Sequence, residues 1–308
     1  SIAVIGPLAD SKKDMPGSWS KSCDPNDMIT FMDAFVPQYK DKIEIHYAKG
    51  CDTQSDDRSL FAEAINAARK SDVIIAMMGE AKEQSGEASS RSDISLPGVQ
   101  EDLLKELKKL NKPIVLILFN GRPLSIPWAS ENMDAIIEAW FPGNEAGNAL
   151  IDVIFGKFNP QGKLTVTFPR SVGQVPIFYN QKRSGRPEGL YISDFIRRYI
   201  DSPSTPLYPF GYGLSYTTFE YSDIKMSSSK LSSNGVLNLS VKVKNSGKYK
   251  GVETVQLYIR DINASITRPV KELKNFKKVE LKPGEDKEVN FTLTEKDLRF
   301  WNDKKQYI

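Results

Sequence analysis

Three acids and a guanidinium stand out in "GEAKEQSGEASSRSD", residues 79–93, where Glu83, Glu87, Arg91 and Asp93 lie among serines and glycines. Glu80, at the end of the apolar run "DVIIAMM", adds a further acid, and the stretch stops at Leu96-Pro97-Gly98. A carboxyl group carried on small, flexible neighbours can reach a reacting atom and give or take a proton, which is general acid–base work. A nearby cation can hold such a loop in place. Lacking a partner, the same stretch is a solvated loop, so its surroundings have to decide.

Other chemistries find little support. His46 is the only histidine, and it sits in the alternating "IEIHYA", a strand pattern. Nucleophilic triads would have to use it, and a zinc site would lack nitrogen and sulfur ligands. Cys23 and Cys51 are enough for one bridge but not for a metal site or a disulfide scaffold. The net charge is +3 over 308 residues, with lysines spread along the chain, so no nucleic-acid partner is expected. No apolar run is long enough to span a membrane. The chain opens directly into "IAVIGP", so we expect no signal peptide on it and an origin in a longer polypeptide.

The elements that must position the acids follow from hydrophobic period. Up to about residue 212, apolar runs alternate with helical patterns. "IAVIGP", "IEIHYA", "DVIIAMM", "PIVLILF" (113–119), "DAIIEAW" (134–140) and "KLTVTF" read as strands. Helices are expected over 26–38, 57–70, 99–110 and about 144–154. In the second of these, Leu60, Phe61, Ala64, Ile65 and Ala68 share one face. Continuous apolar strands between helices predict an α/β fold with a mostly parallel sheet covered by helices on both faces. Ligands of such sheets gather at the carboxyl ends of the strands, which is where residues 79–98 are expected.

Beyond residue 212 the period falls to two. Leu237, Leu239, Val241 and Val243 alternate with polar residues, as do Val255, Leu257 and Ile259, and Val289, Phe291 and Leu293. About six short strands separated by "KNSGKYKG" and "LKPGED" predict an antiparallel β-sandwich. The expected domains are therefore 1–212 and 213–308, the second expected to be cut short at its last strand. Between them Tyr208, Phe210, Tyr212, Tyr216 and Phe219 suit a pinned segment better than a loose tether.

Six stretches together carry a family resemblance: "IAVIGP", "SGEASSRSDISLPGVQ", "KPIVLILFNGRPL", "EAWFPGNEAGNALIDVIFGKFNPQGKLTVTFPRSVGQVP", "YPFGYGLSYTTF" and "RPVKELKNFKKVELKPGE". In this order they resemble the C-terminal part of glycoside hydrolase family 3, the β-glucosidase and β-xylosidase type. The resemblance implies an α/β sandwich followed by a fibronectin type III-like domain, with the family's N-terminal barrel and its nucleophilic aspartate absent. It implies a C-terminal portion of a retaining, exo-acting β-glycosidase that removes terminal non-reducing β-D-glycosyl residues. No cofactor or metal is implied. The implied partners are the missing barrel, an oligosaccharide or β-glycoside substrate and a second copy of the chain. The implied location is periplasmic or secreted. A scaffold or carbohydrate-contacting module without catalysis is the alternative reading.

Within the resemblance, Glu87 of "SGEASSR" aligns with the general acid/base, and Glu83 and Glu80 are its rivals. Retaining enzymes set two carboxyl groups about 5–5.5 Å apart, so the partner carboxylate must come from the barrel. A direct pair with Arg91 would lower the pKa of an acid that needs a high one. Arg91 is therefore expected to hold the loop, through Asp93, without touching Glu87. Trp19 in "MPGSWS" could stack on a sugar ring or support the loop, and Arg122 of "NGRP" is expected to hold a strand-end turn. "FPGNEAGNAL" is expected to make a close helix–strand turn. Without its barrel, the loop should have few anchors and should lie beside an exposed apolar docking patch. The chain alone should be inactive.

Overall fold

A computed structural model of the chain describes residues 1–20, 22–183, 185–186 and 198–308. The chain divides into two compact units, one of residues 1–157 and 168–175, the other of 158–167 and 176–308.

The first unit is built on five strands: β1 (Ile2–Ile5), β2 (Ile45–Ala48), β3 (Val73–Gly79), β4 (Ile114–Phe119) and β5 (Ala135–Glu138). They lie in the order β2-β1-β3-β4-β5 and every neighbouring pair is parallel, as the unbroken apolar runs require. Alternate residues serve the two faces. Val4, Ile75, Met77, Ile117 and Phe119 pack with Phe31 and Phe35 of α1 (Phe31–Tyr39) and Leu150 and Ile151 of α5 (Ala146–Ile154). On the other face Ile5 meets Ala64 of α2 (Phe61–Arg69) and Leu103 of α3 (Gln100–Lys108), all three side chains closing around Gly50. Each fully buried aliphatic side chain of this kind contributes roughly 1.5–3 kcal/mol.

Helix starts differ from the expected ones for local reasons. The segment expected to be helical from 26 instead enters α1 at Phe31, because Thr30 and Asp33 form a reciprocal cap with N···O distances of 3.0 and 3.1 Å. A six-residue helix, α4 (Pro127–Asn132), has too few turns to show a period. "KLTVTF" does not join the sheet. Leu164 exchanges two backbone hydrogen bonds with Gly211 and Tyr212, each 2.7 Å, and the stretch up to Thr167 belongs to the second unit. His46 lies in β2 opposite Ala3. Cys23 and Cys51 are free thiols, and burial pushes the Cys51 thiol up to about 12.

The second unit has five strands among the described residues, where about six were expected. One antiparallel sheet orders β10 (Asp286–Thr294), β7 (Val236–Asn245) and β6 (Phe219–Met226); the other pairs β8 (Gly251–Ile259) with β9 (Glu272–Leu281). Val241, Val243, Val255, Val279, Leu281, Val289 and Phe291 form the core. A four-residue helix, α6 (Glu295–Leu298), follows β10, and Trp301 then bridges to Tyr307. The aromatic connector is held within the second unit. Phe210 stacks on Tyr179 at 4.2 Å, Gln256 donates to the Gly211 carbonyl at 3.0 Å, and Phe219 packs on the core. No helix among the described residues is long and apolar enough to cross a membrane.

Candidate active-site loop

β3 ends at Gly79, in the middle of the sheet, and the loop of residues 80–99 leaves from the carboxyl edge. Gly79 has φ +140°, and a β-carbon there would lie 1.9 Å from the Phe119 carbonyl oxygen, so only glycine lets the two strands close up at this point. Gln100, fully buried at the start of α3, clasps the same residue from the far end of the loop. Its Oε1 accepts from Gly79 N, and its Nε2 donates to Gly79 O, both at 2.8 Å. Nε2 also lies 3.1 Å from the carbonyls of Thr53 and Pro97. Nothing in the local sequence marks Gln100 beyond its place at a helix start.

Beneath the loop sits a buried ionic cluster. Glu80 has no exposed surface, and its carboxylate is met by Arg91 Nη1 at 2.8 Å, Arg122 Nε at 2.9 Å and the Gly121 N–H at 3.2 Å. Two guanidinia and no solvent access fit Glu80 for anchoring the loop rather than for meeting a substrate. Arg91 also donates to the Ser95 carbonyl at 3.0 Å. Asp93 accepts from Ser95 N at 2.8 Å, and that bond holds its carboxyl below the usual range. Arg91 and Asp93 thus act on the same residue, Ser95, from opposite sides of its peptide groups.

Glu87 rides at the corner of a tight turn. Ser89 N donates to Gly86 O at 3.2 Å, Gly86 has φ +120° and Ala88 has φ +58°, the left-handed residue such a turn needs at its third position. The Glu87 side chain is exposed, and among the described residues its carboxylate has no hydrogen bond or ion pair. Glu83 is also exposed; its carbonyl accepts from the Ser89 hydroxyl at 2.9 Å. Trp19 stands next to the turn: a β-carbon added at Gly86 would lie 3.7 Å from its Nε1, and the indole is 71% exposed.

The expectation of a loosely held loop is corrected here. Ser18 donates to the Ser85 carbonyl, the Lys82 N–H binds buried Asp14 at 3.0 Å, and Arg122 reaches the carbonyls of Gln84 and Ser89. Backbone carbonyls and buried charges supply the anchors that the polar sequence lacks in apolar side chains. The expected apolar docking patch is also not found beside the loop among the described residues. Trp19 is the large exposed apolar side chain there, and Tyr47, Val172 and Val175 are the others of the first unit among the described residues. The remaining exposed loop residues, including Glu83, Glu87, Ser90 and Asp93, are polar.

Another carboxyl lies two strands further along the sheet, beyond β4. Glu138, partly buried at the end of β5, accepts from Trp140 N at 3.0 Å and from Asn120 Nδ2 at 3.3 Å, and burial pushes its pKa up to about 8. Trp140 has φ +53°, uncommon for a large side chain, and the bond that its N–H donates to Glu138 helps to keep it there. Sequence reading missed Glu138 because "DAIIEAW" reads as a strand ending, with no sign that its acid turns inward. Among the described residues no group of three or more histidine, cysteine or acidic side chains could hold a metal ion.

The chain is 43% identical over its whole length to a periplasmic beta-glucosidase of Salmonella typhimurium strain LT2, covering 43% of that protein. It is 42% identical over 98% of its length to a beta-xylosidase of Formosa agariphila, covering 42% of it. The solved beta-glucosidase from Listeria innocua superposes on all of this chain with a TM-score of 0.92 and 38% identity, over 42% of its own length; its mutant was solved in complex with laminaribiose. The chain thus spans about two-fifths of the length of these relatives. The glycosyl hydrolase family 3 C-terminal domain model matches residues 1–216, and the fibronectin type III-like domain model matches 253–308. On its sequence, its sheet order and these matches, the chain belongs to the glycosyl hydrolase family 3 C-terminal domain family, followed by a fibronectin type III-like domain.

Proposed function

We propose that this chain is the C-terminal part of a retaining, exo-acting β-glycosidase of the β-glucosidase type, and that Glu87 is its general acid/base. The observation that carries the proposal is the state of Glu87: exposed on a tethered turn at the carboxyl edge of the sheet, with no internal partner and beside an exposed tryptophan. A carboxylate kept for structure is normally paired, as Glu80 is. One left unpaired on a fixed turn is available to a substrate.

In this reading Glu87 protonates the glycosidic oxygen as the bond to the sugar breaks, and later takes a proton from the attacking water. The nucleophilic carboxylate comes from the barrel of the longer polypeptide, whose docking would also exclude water from around Glu87. Trp19 offers a face for the leaving group. Arg91 and Asp93 keep the loop's descending arm in place. The names of relatives support a β-glucoside or β-xyloside substrate, and one of them supports a periplasmic location.

The test is Glu87→Gln in the full-length enzyme. General acid assistance is worth about 10²–10⁴-fold, and poor leaving groups need it most. Turnover of a disaccharide should fall by that order, whereas the first step on a dinitrophenyl glycoside should change little. A covalent glycosyl-enzyme should accumulate, and azide, which needs no deprotonation, should restore turnover. Equal loss on both substrates without azide rescue would move the role to Glu83 or out of this domain.

A further inference from the structure

We infer that Arg122 is a positioning residue for the Glu87 turn, clamping it through the two backbone carbonyls that bracket it. The inference rests on the reading of Glu87 given above. Arg122 lies three residues beyond the last residue of β4, on the strand neighbouring β3. Its Nη2 donates to Ser89 O at 2.8 Å and also to Gln84 O, so one nitrogen spans the entry and the exit of the Gly86–Ser89 turn. Its Nε faces Glu80 Oε1 at 2.9 Å, and its side chain is 20% exposed. The guanidinium thus lies against a buried carboxylate on one side and holds the turn on the other.

Two further contacts make this a narrow fit. Gly121, next to Arg122, approaches the loop so closely that a β-carbon would lie 2.2 Å from Ser85 Oγ. The Ser85 carbonyl is itself held by Ser18. Arginine is suited to the task because its planar fork can serve a carboxylate and carbonyls at once, which the single ammonium of lysine does not reproduce. Arg122 never approaches the reacting atoms in this account. It sets where Glu87 stands, and a displacement of about 1 Å at an acid/base can cost on the order of 10²-fold in rate.

The test uses the full-length enzyme with Arg122→Lys, with rates expressed per active site titrated by the dinitrophenolate burst. We expect kcat on a disaccharide to fall by roughly 10–100-fold, in line with a misplaced acid. The burst rate on the dinitrophenyl glycoside, which needs no protonation, should change by less than about 3-fold. Arg122→Ala should show the same split, and added guanidinium should recover part of the disaccharide rate without altering the burst. A merely structural role would lower the number of titratable sites and leave the ratio of the two rates unchanged; that result, or full disaccharide activity in Arg122→Lys, overturns the inference. Glu87→Gln run alongside separates the two readings. If it shows the split and Arg122→Lys does not, only the clamp is wrong. If Glu87→Gln shows no split, the acid/base assignment and the clamp fall together.

Discussion

Replacing Glu80 by glutamine should be among the most damaging single changes in the first unit, although the side chains are nearly the same size. The carboxylate receives Arg91, Arg122 and the Gly121 N–H while wholly buried. Its two cationic partners are only 17% and 20% exposed, so neither can fully re-solvate once the negative charge is gone. Removing one member of a buried pair typically costs about 3–5 kcal/mol, since the stranded charge dominates the loss. Here two cations are stranded, which puts the expected loss at the upper end of that range. For a unit of this size each kcal/mol lowers Tm by about 2–4 °C, which amounts to roughly 10–20 °C. Urea unfolding followed by tryptophan fluorescence suits the measurement, because Trp19, Trp128 and Trp140 lie in the first unit and only Trp301 in the second. The midpoint should fall at unchanged slope, and the difference from wild type should survive added salt, which screens buried charges poorly. A loss below about 1 kcal/mol, or one that vanishes in salt, is the behaviour of a solvated surface pair and would refute the buried-cluster account.

Two further outcomes follow from the titrating groups. Glu138 keeps a proton in the folded chain up to about pH 8, whereas an unfolded glutamate releases it near its ordinary value of 4.5, so stability should fall as pH rises through that window and level off above it. Glu138→Gln should flatten this dependence in urea midpoints taken at about pH 5, 7 and 9; an unchanged slope would mean the group is ionised in the fold. Cys51, 1% exposed and with its thiol pushed up to about 12, should resist a thiol-specific disulfide reagent at mildly alkaline pH until urea is added, so the native chain should yield at most one modified cysteine by mass spectrometry.

The sheet was readable because its central strands are buried on both faces and therefore show unbroken apolar runs, as in "DVIIAMM" and "PIVLILF". "KLTVTF" shows the limit of that signal: its alternation is that of a strand, but two bonds to Gly211 and Tyr212 decide its place, from more than forty residues away. The Thr30–Asp33 cap was written in the sequence as T-x-x-D and would have placed the start of α1 correctly. At the site, the loop could be read from its acids and small neighbours, while the choice of Glu87 among them came from the family resemblance. The fate of Glu80 could not, because its burial depends on Arg122, which β4 brings in from another part of the chain. Local spacing says which acids are close in sequence; the parallel crossover between β3 and β4 says which of them is covered.

Gln100 gives the loop a property that its hydrogen bonds do not state by themselves. Because the amide grips Gly79 while standing at the first turn of α3, the excursion from residue 80 to 99 begins and ends at the same point of the sheet. Geometrically it is a closed ring attached at one residue. Lengthening such a ring leaves its attachment where it was, and each doubling of length adds only about 0.6 kcal/mol of closure entropy. The sheet is therefore indifferent to how far the ring projects, and evolution or an engineer can exchange the reach and chemistry of its tip while the fold that carries it stays the same.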